Sequence, residues 1–92
     1  MNLQEHRRKV LGKLGFIKRG GTKHERWVLI DASTGKPHLT ARVSRNNRDI
    51  GPALRRLFCG ELHISTKQYT EIASCNMSKT DYYNHLLNNG II

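Results

Sequence analysis

The sequence predicts an α+β fold in which helices cover one face of a three-stranded antiparallel sheet, in the order α-β-β-β-α with further helices at the C-terminal end. Three observations carry that reading. The chain opens on an apolar stripe at helical spacing. Three strand-like runs follow, two of which alternate apolar and polar residues with a period of two. The chain beyond the third strand returns to helical spacing behind Pro52, Ser65 and Ser78.

Leu3, Val10, Leu11 and Leu14 define the first helix over residues 2–13, with Gly15 placed to end it. His6, Arg7, Arg8, Lys9 and Lys13 are assigned to its solvated face. Phe16 to Arg19 form a short strand, and Gly20-Gly21 turn the chain into a second strand that begins at His24. With Trp27 and Leu29 turned inward, His24 and Arg26 face outward. Asp31 to Pro37, which contains Ser-Thr-Gly-Lys-Pro, make the next turn. The third strand, His38 to Ser44, has Leu39, Ala41 and Val43 inward and His38, Thr40, Arg42 and Ser44 outward.

Asn46, Asn47 and Asp49 break the strand pattern, and Pro52 suits the first turn of a helix. Ile50, Leu54, Leu57 and Phe58 line one side of that helix, Arg55 and Arg56 the other, and Gly60 marks its end. Ser65 caps a short helix bearing Tyr69, Ile72 and Ala73. A final helix from about Ser78 to Asn89 carries Tyr82, Tyr83, Leu86 and Leu87. There are no internal repeats, and 92 residues suffice for one domain with one modest core.

Sixteen Lys and Arg against seven Asp and Glu give a formal charge of +9. A magnitude of about 2–8 is enough to keep a small domain soluble. The excess therefore points to a polyanionic partner, with nucleic acid first and an acidic protein second. Cys59 and Cys75 belong to no Cys-x-x-Cys, and the five histidines are scattered, so neither a disulfide framework nor a metal site is expected. No run resembles a signal peptide or a membrane span. A cytoplasmic protein with reduced thiols is the expectation.

A hairpin closed around residues 31–37 sets His24 beside Arg42 or Ser44 and sends His38 to the opposite end, ~13–20 Å away at about 3.3 Å per residue. An acid–base histidine pair is therefore not expected. A lone imidazole titrates near neutral pH, and arginines on the same face would hold a phosphate, so the hairpin has the elements of a metal-free RNA-cleaving site. His24 is the candidate catalytic residue. Lys23, Arg26, Thr40, Arg42 and Ser44 are the candidate RNA-binding residues, and Gly20, Gly21 and Thr22 the turn that presents them.

The order of elements, the Gly21-Thr22-Lys23-His24 turn, the basic hairpin and the Ile50-Gly51-Pro52-Ala53-Leu54-Arg55-Arg56-Leu57 helix resemble the HicA toxins, also called YcfA-like proteins. The resemblance covers about residues 3–64. It implies a fold like that of double-stranded-RNA-binding domains and an mRNA interferase of a toxin–antitoxin system. It also implies dependence on the histidine at position 24 and neutralisation by a HicB-like antitoxin. Thr22-Lys23 stands where Ser-His or Ser-Asn is more usual, and the hydroxyl is retained. Residues 65–92 extend beyond the toxin core, where they would enlarge the core, mask the sheet or join two copies as a homodimer.

The expected chemistry is attack by the RNA's own 2′-hydroxyl, giving a cyclic phosphate and a 5′-hydroxyl without cofactor or metal. Single-stranded RNA suits an open sheet face, because its bases are presented away from a duplex. A non-catalytic RNA-binding module explains charge and sheet equally well. DNA binding by the C-terminal helices around Tyr69 and Tyr82 has less support, because that segment carries only Lys67 and Lys79 as cations.

Overall fold

In the computed structural model, which describes residues 1–92, Asn2 begins the first helix with a reciprocal cap. Its side chain accepts the Glu5 amide and the Glu5 carboxylate accepts the Asn2 amide. This helix, α1, is α-helical over Leu3–His6 and π-helical over Arg7–Gly12. Leu3, Val10, Leu11 and Leu14 are buried, as their spacing requires. Strands β1 (Ile17–Lys18), β2 (His24–Ile30) and β3 (Pro37–Ser44) form an antiparallel sheet in sequence order. Helices α2 (Pro52–Leu62), α3 (Thr66–Ala73) and α4 (Lys79–Asn88) complete the chain. The fold is therefore α+β, with three strands and four helices.

One hydrophobic cluster joins the inward side of the sheet (Leu29, Ala41, Val43) to the helices through Leu3, Leu11, Phe58, Leu62, Ile72 and Tyr82. The C-terminal helices supply Tyr69, Ile72, Met77, Tyr82 and Leu86 to it, so they enlarge the core and leave the outer sheet face open. Each of these two helices opens on the serine that the sequence pattern indicates. Ser65 exchanges hydrogen bonds with Gln68, and Ser78 with Asp81.

Five expectations are corrected. His6 is fully buried rather than solvated: it stacks on Phe58 at 3.9 Å, and its Nδ1 lies 2.6 Å from the Tyr69 hydroxyl. It stands three residues after Leu3 and four before Val10, a position on the apolar stripe whatever its polarity. Arg7 is also drawn inward. Its guanidinium reaches Glu25 at 2.7 Å and the carbonyls of Ser44 and Asn46, tying α1 to the end of the hairpin. Gly60 does not end α2, which runs to Leu62 and stops at His63 in the left-handed region (φ 58°). Leu57 is 60% exposed, because the core-facing side of α2 is Phe58, Cys59 and Leu62. Leu87 of α4 is likewise exposed.

Candidate functional site

The site begins with the two glycines. Gly20 and Gly21 both have positive φ, and a Cβ on Gly21 would collide with the carbonyl oxygen of His24. The chain can fold back this tightly at position 21 only with glycine. The Gly20 carbonyl accepts the Arg26 amide at 2.8 Å, the Arg19 amide donates to the Arg26 carbonyl at 2.7 Å, and Arg45 donates to the Gly21 carbonyl. The turn is thus held from both sides, and His24 leaves it as the first residue of β2.

The hairpin register pairs His24 with Ser44, Arg26 with Arg42 and Val28 with Thr40. His24, Arg26 and Arg42 are exposed on the outward face, and Ser44 is half-buried. His24 and Arg42 are therefore diagonal neighbours, as the turn length demands. A shallow groove of about 280 Å³ runs along this corner, lined by residues 21–26 together with Arg42. Lys23, His24, Arg26 and Arg42 therefore share one surface. Thr40 is remote from His24, being paired four residues along β2 from it, about 13 Å away, but it is the diagonal neighbour of Arg26. It lines a neighbouring hollow with Arg19, Val28 and Arg26, the last of which also lines the His24 groove, and Val28 is buried there. His38 lies at the far end of the hairpin, 3.9 Å from the Asp31 carboxylate.

Arg26 and Arg42 face each other across the strands, and neither takes part in an ion pair. Like charges directly opposite one another destabilise a sheet. The neighbouring carboxylate, Glu25, points to the other face, where it meets Arg7, Lys18 and the indole of Trp27. Burial of Glu25 opposes its ionisation, but the hydrogen bonds from Trp27 and Arg7 outweigh that and hold its carboxyl below the ordinary range. Glu25 therefore neutralises charge behind the sheet and leaves the outward arginines available to an anion.

A second groove, about 370 Å³, adjoins the first between the outward side of β3 and helix α2. His24, Arg42 and Ser44 form one wall, Leu54, Leu57 and Glu61 the other, and Arg48 also lines it. Arg48 and Glu61 were not among the residues expected from sequence. Glu61 reaches the site because α2 continues past Gly60, and its Oε2 accepts the Arg42 amide on the free edge of β3 at 3.1 Å. The spacing of Leu54, Leu57 and Glu61, at i, i+3 and i+7, already puts the three on one flank of a helix. No three His, Cys, Asp or Glu side chains converge anywhere in the molecule, and no helix is long and apolar enough to cross a membrane.

The arrangement offers an exposed imidazole, unpaired guanidinium groups and two connected grooves with a partly apolar wall. It can hold a phosphodiester against the arginines while the imidazole exchanges a proton with it. The chain matches no family model, no curated protein and no solved structure.

Proposed function

We propose that this protein is a metal-independent endoribonuclease of the HicA type, an mRNA interferase on a double-stranded-RNA-binding-domain-like fold, with His24 as its general acid or base. The observation that carries the reading is the unpaired Arg26–Arg42 couple on the same exposed face as His24. Two opposed arginines that form no ion pair cost the sheet stability, whereas an RNA phosphate would satisfy both. The net charge of +9 supports the same partner.

In this reading Arg26 and Arg42 grip the scissile phosphate and stabilise the charge it gains in the transition state. Lys23 and Arg48 would neutralise flanking phosphates, and Leu54 and Leu57 offer an apolar wall for a base presented by single-stranded RNA. The RNA supplies the nucleophile, its 2′-hydroxyl. A small acidic antitoxin of the HicB kind would be drawn by the same field and would cover His24, so that RNA and antitoxin exclude one another. Arg26→Glu combined with Arg42→Glu should then weaken both complexes, and added salt should weaken the RNA complex more steeply.

The test is cleavage of single-stranded RNA in excess EDTA by the wild type and His24→Ala. Cleavage by the wild type alone supports the reading. Equal cleavage by both removes His24 from the mechanism, and RNA binding without cleavage leaves a non-catalytic RNA-binding module. Because His24 is exposed, its truncation should change stability by no more than about 0.5 kcal/mol. A much larger loss would instead assign the imidazole a structural role.

A further inference from the structure

We propose that Glu61 is the second proton-transfer group of this site, taking the proton of the attacking 2′-hydroxyl while His24 gives one to the departing 5′-oxygen. This rests on the ribonuclease reading and names a partner that His24 otherwise lacks. Transesterification moves two protons: one leaves O2′ as the P–O2′ bond forms, and one reaches O5′ as the P–O5′ bond breaks. One histidine cannot hold both positions at once, and His38 is at the wrong end of the hairpin.

Glu61 lines the same groove as His24 and Arg42, from the opposite wall. Its Oε2 is oriented by the Arg42 amide at 3.1 Å and retains a second lone pair. Adjacent strands lie about 4.8 Å apart, so with that hydrogen bond added the carboxylate lies about 8 Å from the strand that bears the imidazole. Two hydrogen bonds of about 2.8 Å flanking oxygens about 3.5 Å apart call for about 9 Å between carboxylate and imidazole, and the two residues line opposite walls of one groove.

Oε1 of Glu61 is buried with no hydrogen-bond partner. Structural carboxylates are normally satisfied at both oxygens, so the unpartnered Oε1 marks Glu61 as a carboxylate that the fold leaves incompletely satisfied beside this groove. Burial raises the Glu61 carboxyl above the ordinary carboxylate range, against the opposing effects of the Arg42 amide and charge. A carboxylate so raised is a stronger base near neutral pH. The charged and titratable groups facing it are Arg42, Arg48 and His24; its α2 neighbours in the groove, Leu54, Leu57 and Phe58, are neutral. The catalytic cycle balances without an oxidant or metal: Glu61 ends protonated, His24 neutral, and water restores both.

The experiment compares wild type, Glu61→Gln and His24→Ala on two RNAs, one ordinary and one with sulfur in place of the bridging 5′-oxygen at the cut. The glutamine keeps an oxygen for the Arg42 amide, so the fold is preserved while proton transfer is lost. Glu61→Gln should cleave ordinary RNA about 100-fold or more slowly. It should bind a 2′-deoxy analogue as the wild type does, and it should lose the acid limb of the pH–rate profile. A thiolate leaves without protonation, so the sulfur substrate should rescue His24→Ala but not Glu61→Gln. Wild-type rates in Glu61→Gln, or its rescue by sulfur, overturn the assignment of Glu61 alone. Failure of the wild type to cleave, or unimpaired His24→Ala, overturns the ribonuclease reading and this proposal with it. Should Glu61→Gln not fold, the wild-type profile decides: two limbs support the proposal, and no acid limb overturns it. Glu61→Asp should partly restore that limb.

Discussion

Acid should loosen this protein through His6, a residue remote from the outward face of the sheet. The imidazole is fully buried between Phe58 and Tyr69, with Nε2 unpartnered, and burial followed by the charge of Arg7 pushes its pKa from 6.5 down to about 4. Between those values the unfolded chain binds the proton and the folded chain does not. The stabilisation is therefore complete above about pH 6.5, is lost as pH falls, and is exhausted below about pH 4. At 1.36 kcal/mol per pKa unit the whole shift is worth about 3 kcal/mol, of which about 2 kcal/mol is gone by pH 5. Set against a typical total of about 5–15 kcal/mol, that is a substantial fraction. The assay is urea unfolding at intervals from pH 7.5 to 4 for wild type and His6→Asn, whose amide can still meet the Tyr69 hydroxyl but does not titrate. Glu25, held low, loses its contribution only at more acid pH, and Glu61, raised, acts in the opposite sense. Both are common to the two proteins and cancel in the difference. A wild-type curve parallel to that of His6→Asn across this range would refute the argument.

Two further outcomes follow from the turn and the arginine pair. Gly21→Ala should cost more than about 2 kcal/mol and misplace His24, since it combines a positive φ with a collision against backbone, whereas Gly20→Ala meets nothing within 4 Å and should cost about 1 kcal/mol; thermal melts of the two variants check the order. Arg26→Glu should raise stability by a few tenths to about 1 kcal/mol by pairing with Arg42, yet weaken RNA binding. Titration with a labelled RNA alongside a melt shows whether the two effects run in opposite directions.

The hairpin was the most legible part of the chain, because period-two alternation and the seven-residue turn segment 31–37 together determine which side chains meet. His24 against Ser44 and Arg26 beside Arg42 follow from those two facts. The helix caps at Ser65 and Ser78 were equally readable, since a serine followed three residues later by Gln or Asp satisfies two free amides. Less legible were residues whose burial depends on tertiary partners. His6 and Arg7 look solvated by type, but Tyr69, Phe58 and Glu25 come to them from distant parts of the chain. Gly60 has weak helix propensity, yet α2 runs through it because Leu62 continues into the core. That overrun carries Glu61 to the edge of β3, which is why the sequence pattern alone left the second wall of the groove unseen. Thr40 shares a face with His24 but not a neighbourhood, a distance that alternation cannot express.

The central claim is that His24 transfers a proton in cleavage of RNA by its own 2′-hydroxyl, and the direct measurement is the chemistry of the cut ends. A single-stranded RNA incubated with the protein in excess EDTA, followed by mass spectrometry of the fragments, should yield 2′,3′-cyclic phosphate and 5′-hydroxyl termini. His24→Ala should yield none, and a single 2′-deoxy substitution at the cut position should block that cut in the wild type. Termini bearing a 5′-phosphate, cleavage at the 2′-deoxy position, or cleavage that requires an added divalent metal would contradict the account.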